Sequence, residues 1–258
     1  GGKNTPVLIM SGEFPGGFEL AYPKFVLLDY SRESAKPSRG HYLRKAKKKK
    51  KEEKPETGGI KNIIFDVGQV LVDYDWETYL DSFGFEPAKR ERIAKATFQS
   101  PVWDERDRGL YEEDVYLKQF QELDPEDAED IEKVIRGTGG TIHKRPYADT
   151  WVKYLKSKGY HVYILSNYSS YMLDHTKKEL TFRREMDGEV FSCYAKQLKP
   201  DAEIYQIILN KYQLKPEECV FIDDRPENCR GAQEQGIHTI CFKDFKQVTA
   251  DLEKLGVK

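Results

Sequence analysis

The hydrophobic and polar positions of this chain fall into two alternating patterns separated by a stretch with a third. Residues 61–72 open the first pattern. The run Ile63-Ile64-Phe65 is too short for a helix and rich in β-branched residues, so it reads as a buried strand ending on Asp66. A strand apolar on both faces belongs inside a parallel sheet. A second patch, Val70-Leu71-Val72, follows Val67-Gly68-Gln69. From residue 147 onward short apolar runs alternate with amphipathic stretches. Strands are predicted at 161–166, 190–194, 219–223 and 237–242. Helices are predicted at 150–158, 169–180, 202–212 (Ile204, Ile207 and Ile208 inward), 227–235 and 245–255. Gly159 and Gly236 sit where two of them should stop. Such alternation argues for an α/β fold, a Rossmann-like parallel sheet with helices on both faces.

Between these regions, residues 76–143 are charged and helical in pattern, with no strand-like segment. Val115, Leu117, Phe120 and Leu123 fall near one helical face. Asp124-Pro125-Glu126 offers an N-cap followed by proline at the first helical position. The stretch reads as a small inserted α-helical cap of about four helices. The expected organisation is therefore a core of residues 60–75 and 146–258 and a cap of residues 76–145. Residues 1–59 form a separate N-terminal extension, in which Lys47 to Lys51 make an unbroken lysine run that reads as a solvated linker.

Composition narrows the options little further. The net charge of −2 gives no reason to expect nucleic acid as a partner. Mean hydropathy is −0.73 and no run approaches the ~18 apolar residues of a membrane span. The four cysteines contain no Cys-x-x-Cys pair, so free thiols and a reducing, cytoplasmic setting are expected.

Candidate chemistry comes from what ends the strands. Asp66 ends the first, Ser166-Asn167 the second, Lys199-Pro200 follow the third, and Asp223-Asp224 end the fourth. In a parallel sheet these ends share one edge, where open α/β folds bind ligands. Carboxylates facing one space repel unless a cation joins them, and hard oxygen ligands suit Mg²⁺. A hydroxyl, a lysine and backbone amides there can hold phosphate oxygens.

The strings FDVGQVLVDYD, ILSN, LKPDAEIY and FIDDRPENCRGA resemble, in order, the four motifs of the haloacid dehalogenase-like hydrolase superfamily, of the α-helical cap type. The first and last are most similar to a bacterial sugar-phosphate phosphatase branch that includes an α-glucose-1-phosphate phosphatase. The resemblance implies a Mg²⁺-dependent phosphatase acting on a small phosphorylated metabolite, a sugar phosphate by preference. Asp66 would attack phosphorus and become an aspartyl-phosphate. Asp66, the Gly68 carbonyl and Asp224, with Asp223 as the next candidate, would bind Mg²⁺. Ser166 and the Asn167 amide would hold the phosphoryl group, and Lys199 would neutralise charge. Asn228 either supports the Asp223-Asp224 loop by hydrogen bonding or is a polar residue at a helix start.

Gly68 departs from the pattern, which places a second aspartate there as general acid. Losing such help typically costs ~10²–10⁴-fold. A catalytically weak domain binding a phosphosugar or a protein partner is therefore the alternative. A dehalogenase on the same fold needs no metal, and the paired Asp223-Asp224 argues against it. Asp73 and Asp75 could partly replace the missing general acid from the cap hinge, with a hinge turn as their first expected role. Within the cap, Trp103, Asp104, Glu105 and Arg108 are the candidates for substrate contact.

Overall fold

The computed structural model describes residues 59–258, so the readings made for residues 1–58 lie outside the described residues. Strand β1 (Asn62–Phe65) sits at the centre of a five-stranded sheet. It is followed by β2 (Val72–Tyr74) and by helices α1 (Trp76–Asp81), α2 (Pro87–Ala96), α3 (Pro101–Arg108), α4 (Glu113–Leu123) and α5 (Ala128–Arg136). Strand β3 (Ile142–Lys144) returns the chain, pairing antiparallel with β2. Then come α6 (Ala148–Ser157), β4 (His161–Ser166), α7 (Ser170–His175), β5 (Gly188–Phe191), α8 (Ser192–Ala195) and α9 (Ala202–Lys211). Strand β6 (Cys219–Asp223), α10 (Pro226–Glu234), β7 (His238–Cys241) and α11 (Phe245–Lys254) complete it.

The sheet order is β5-β4-β1-β6-β7, with every neighbour parallel. Successive strand residues point to opposite faces, so each strand supplies two cores. Ile63, Phe65, Val162, Ile164, Val220 and Ile222 pack with residues of α6, α7 and α11. Ile64, Leu165 and Phe221 pack on the other face with Ile204, Tyr205 and Ile208 of α9 and Ala232 of α10. Burial on both faces is why these strands read as unbroken apolar runs. Phe65 meets Trp151 edge-on at 4.9 Å with no exposed surface, so its truncation to Ala should cost about 3–5 kcal/mol.

Five α-helices, not four, lie between β2 and β3, with their own core built on Leu80, Ile93, Phe120, Ile131 and Val134. On α4 the buried face is Tyr116, Leu117 and Phe120, while Val115 and Leu123 are exposed. Tyr116 joins this face because its ring is apolar although its tip is polar. Asp124 precedes a one-turn 3₁₀ segment, Pro125–Asp127, and its side chain makes no cap bond. The helix expected at 169–180 stops at His175, where Thr176 turns its hydroxyl back onto the Met172 carbonyl at 2.6 Å. The strand expected at 190–194 starts two residues earlier and ends three residues earlier, at Phe191, and Ser192 already begins α8. Ile207 is only partly buried.

The β2–β3 ribbon carries the chain into and out of the helical insert. Asp73 pairs with Arg145 at 2.9 Å, and the Asp75 carboxylate caps α1 by accepting from the Thr78 amide at 3.1 Å. Both lie where the chain runs from β2 into the helical insert. Cys193, Cys219, Cys229 and Cys241 are free thiols. No helix among the described residues is long and apolar enough to cross a membrane.

Candidate active site

Parallel register pairs Phe65 with both Ile164 and Ile222, so β1, β4 and β6 end together at one edge of the sheet. Asp66 follows β1 and its amide still bonds the Ile222 carbonyl at 2.9 Å, which fixes its backbone to the sheet. Its Oδ1 accepts from the Val67 amide at 2.7 Å and from Ser166 Oγ at 2.7 Å, and meets Lys199 Nζ at 2.8 Å. Three donors thus lock one oxygen. The other, Oδ2, has no hydrogen-bond partner among the described residues.

Lys199 is itself held twice. Its Nζ bridges Asp66 to Asp223 Oδ2, 2.7 Å away, with the side chain 1% exposed. Its backbone is clamped by Asn167, whose Oδ1 accepts from the Lys199 amide (2.9 Å) and whose Nδ2 donates to the Lys199 carbonyl (3.0 Å). The Asn167 side chain therefore positions the lysine loop. Asp223 is fully buried and engaged. Besides Lys199 it accepts from the Arg225 amide at 2.8 Å and from Asn228 Nδ2 at 3.0 Å on each oxygen. Asn228 supports the Asp223-Asp224 loop, the first of its two expected roles. The Asp224 carboxylate takes no hydrogen bond from another residue among those described, and it lines the cavity where Asp223 does not.

Burial pushes the Asp66 carboxyl up to about 7; Lys199 pulls it down and the Asp223 charge pushes it further up. Burial alone would lower the Lys199 ammonium, but Asp223 and Asp66 outweigh it and raise it above its ordinary value. Burial, then Asp223, also raises Asp224. One ammonium among three carboxylates leaves uncompensated negative charge.

That excess tests whether a metal fits. One ligand atom each from Asp66, Asp223 and Asp224 lie within 4.8 Å of one another. The free Asp224 carboxylate, the free Asp66 Oδ2 and Gly68 all border the cavity. Asn228 Oδ1, buried at the same wall, lacks a partner. Hard oxygen donors with surplus negative charge suit a small divalent cation. The residues fit Mg²⁺, with Asp224 a better ligand than the fully engaged Asp223.

The site opens into a cavity of about 310 Å³ beneath the helical insert. Its far wall is aromatic: Trp76 stacks on Phe98 at 5.2 Å, Phe98 lies 4.9 Å from Trp103, and Trp103 stacks on Tyr74 at 6.2 Å. Of the cap residues expected to touch substrate, Trp103 and Asp104 line this cavity. Glu105 and Arg108 do not; they pair with each other on the outer surface at 3.2 Å. Asp107, which the sequence reading passed over, lines the cavity instead. Helical spacing held the signal, because residues 103, 104 and 107 share one face of α3. Gly68 has open space around it and an ordinary φ.

A carboxylate held by lysine and serine beside an acidic pair at a sheet edge is the arrangement expected from the four sequence motifs. Residues 60–236 match the haloacid dehalogenase-like hydrolase family, and the chain belongs to it. It is 25% identical over 195 residues to flavin mononucleotide hydrolase 1 of Arabidopsis thaliana, covering 76% of this chain and 77% of that one. It is 26% identical over 191 residues to D-ribitol-5-phosphate phosphatase of Bacteroides thetaiotaomicron, covering 70% and 90%. A HAD family enzyme of the same bacterium, solved in complex with magnesium and inorganic phosphate, shares the fold with a TM-score of 0.59. That similarity spans 74% of this chain and 99% of the other at 23% identity.

Proposed function

We propose that this hydrolase is a Mg²⁺-dependent phosphomonoesterase acting on a small phosphorylated metabolite, with a sugar phosphate as the favoured class. The observation that carries the reading is Asp66. One of its oxygens is locked by Val67, Ser166 and Lys199, and the other is left free in the cavity beside Asp224. Residues 60–75 and 146–258 act as the catalytic core, and residues 76–145 act as the lid that excludes water.

In this reading Asp66 Oδ2 attacks phosphorus in line with the departing oxygen, giving an aspartyl-phosphate. Lys199 holds Asp66 in place and offsets charge on the phosphoryl oxygens. Ser166 Oγ and the Asn167 amide hold those oxygens. Asp66, Asp224 and the Gly68 carbonyl would hold Mg²⁺, which supplies charge neutralisation to the phosphoryl group. The relatives that hydrolyse flavin mononucleotide and ribitol 5-phosphate support a phosphate ester as substrate. A cavity of about 310 Å³ with an aromatic wall suits one sugar ring or a flat apolar group.

Phosphate release across a panel of sugar phosphates, polyol phosphates and flavin mononucleotide, with Mg²⁺ and with a chelator, tests the proposal. Chelator-sensitive turnover of at least one compound is expected. Binding without release across the panel would favour the non-catalytic alternative that Gly68 raises.

A further inference from the structure

Attack by Asp66 leaves one chemical demand open. The departing oxygen takes up the electron pair of the broken bond and needs a proton, and Gly68 has no side chain to give one. The helical insert brings another carboxyl to the same cavity. Helix α3 presents Trp103, Asp104 and Asp107 to it, and the end of α3 is fastened to the core. Ser192 Oγ donates to the Asp107 carbonyl at 2.6 Å while accepting from the Tyr168 amide at 2.9 Å. Lys196 Nζ donates to the Gly109 carbonyl. Gly109 approaches α8 so closely that a Cβ there would lie 2.9 Å from Cys193 Cα. Asp107 is thus placed over the reaction edge by backbone contacts that do not use its carboxyl.

We infer that Asp107 is the general acid and base of this enzyme, supplied from the lid in place of the residue that Gly68 lacks. The inference rests on the phosphatase reading above. In the first step the Asp66 Oδ2–phosphorus bond forms and the phosphorus–oxygen bond to the leaving group breaks. The departing oxygen takes its proton from the Asp107 carboxyl. In the second step the Asp107 carboxylate takes a proton from the attacking water. The water oxygen bonds to phosphorus, the Asp66–phosphorus bond breaks, and inorganic phosphate leaves.

The surroundings suit both roles. Burial pushes the Asp107 carboxyl up to about 7; Arg106 and the Ser169 amide pull it down, and Asp104 and Asp66 push it up. Tyr74, Tyr168 and Cys193 also face it, each held above its ordinary value chiefly by burial and therefore neutral near pH 7. Arg106 is drawn away, making a two-pronged pair with Glu113 at 2.6 and 3.1 Å. A group titrating near neutrality gives up and regains a proton readily.

The test compares Asp107→Asn with wild type on glycerol 2-phosphate, a poor leaving group, and on p-nitrophenyl phosphate, a good one. Melting curves are taken alongside, and Asp107→Ser serves if the Asn variant does not fold. kcat/KM on glycerol 2-phosphate should fall about 10²–10⁴-fold, and on p-nitrophenyl phosphate by less than about tenfold. The fall of the glycerol 2-phosphate rate with rising pH should flatten. Adding Gly68→Asp to Asp107→Asn should recover part of the loss. Equal losses on both substrates with an unchanged pH profile would overturn the inference. So would an Asp104→Asn variant that shows the leaving-group effect in place of Asp107→Asn. A wild type that releases phosphate from neither ester nor from the sugar-phosphate panel would remove the phosphatase reading itself.

Discussion

Replacing Lys199 with Met keeps the length and apolar stem of the side chain and removes only its charge. In the native site that charge sits 2.8 Å from Asp66 and 2.7 Å from Asp223, with almost no solvent contact. Removing one partner from a buried ion pair costs about 3–5 kcal/mol, because the remaining charge is stranded. For a domain of this size each kcal/mol lowers Tm by about 2–4 °C, so a drop of about 6–20 °C is expected at pH 8. The pH dependence carries a definite sign. Asp66 is raised to about 7 in the folded state, against 3.8 as its ordinary value. Between those values the folded protein binds more protons than the unfolded chain, so this carboxyl lowers stability as pH rises. Lys199 is raised, so its contribution is fully present across pH 5–8 and is lost only at high pH. Deleting the lysine moves Asp66 higher and steepens the loss toward pH 8, while at pH 5 a protonated Asp66 leaves less charge stranded. Thermal unfolding of both proteins at pH 5 and pH 8, in the presence of a chelator, measures this. A Tm difference equal at the two pH values, or below about 2 °C at pH 8, would refute the reasoning.

Three further outcomes are expected. Asp66→Asn should abolish turnover while the far-ultraviolet circular dichroism stays native, since the shape is kept and the nucleophile is lost; retained activity above a few per cent (about the level of a contaminant) would contradict it. Gly68→Asp should fold normally, because nothing lies within 4 Å of the added Cβ, and should leave the ratio of alkyl to aryl phosphate turnover nearly unchanged while Asp107 is present; a large rise in that ratio in the otherwise wild-type protein would show that it lacks a working acid. Gly109→Ala should cost about 1–3 kcal/mol, because φ is +70° and the added carbon meets α8, and the loss should appear as a lower Tm; an unchanged Tm would show that α3 moves off α8 at no cost.

The core was the more legible part of the molecule, for a physical reason. Strands β4 and β6 were bounded to the residue because both faces of the sheet are covered, so their interior positions, 162–165 and 219–222, form unbroken buried runs between polar ends. Strand β3 was missed because its pattern, Ile142-His143-Lys144, puts only one residue into the core. Asp66, Ser166, Lys199 and the Asp223-Asp224 pair could be brought together from sequence because topology places strand ends side by side. The division of labour within the pair could not. It depends on Asn228 and the Arg225 amide satisfying Asp223 and leaving Asp224 free. Helix α3 shows the same limit. Its sequence, PVWDERDR, is charged on every face, so hydrophobic periodicity gives no direction, and the choice of Asp107 over Glu105 is set by docking onto α8.

The most direct test of the central claim is to find the phosphoryl group on the nucleophile. The protein would be mixed with Mg²⁺ and a turned-over phosphate ester, quenched in acid within the first turnovers, digested and analysed by mass spectrometry. The expected result is a phosphorylated peptide containing Asp66, absent from the Asp66→Asn variant and absent when a chelator replaces Mg²⁺. Steady phosphate release with no phosphate on that peptide, or phosphate on another residue, would contradict an Asp66-centred mechanism.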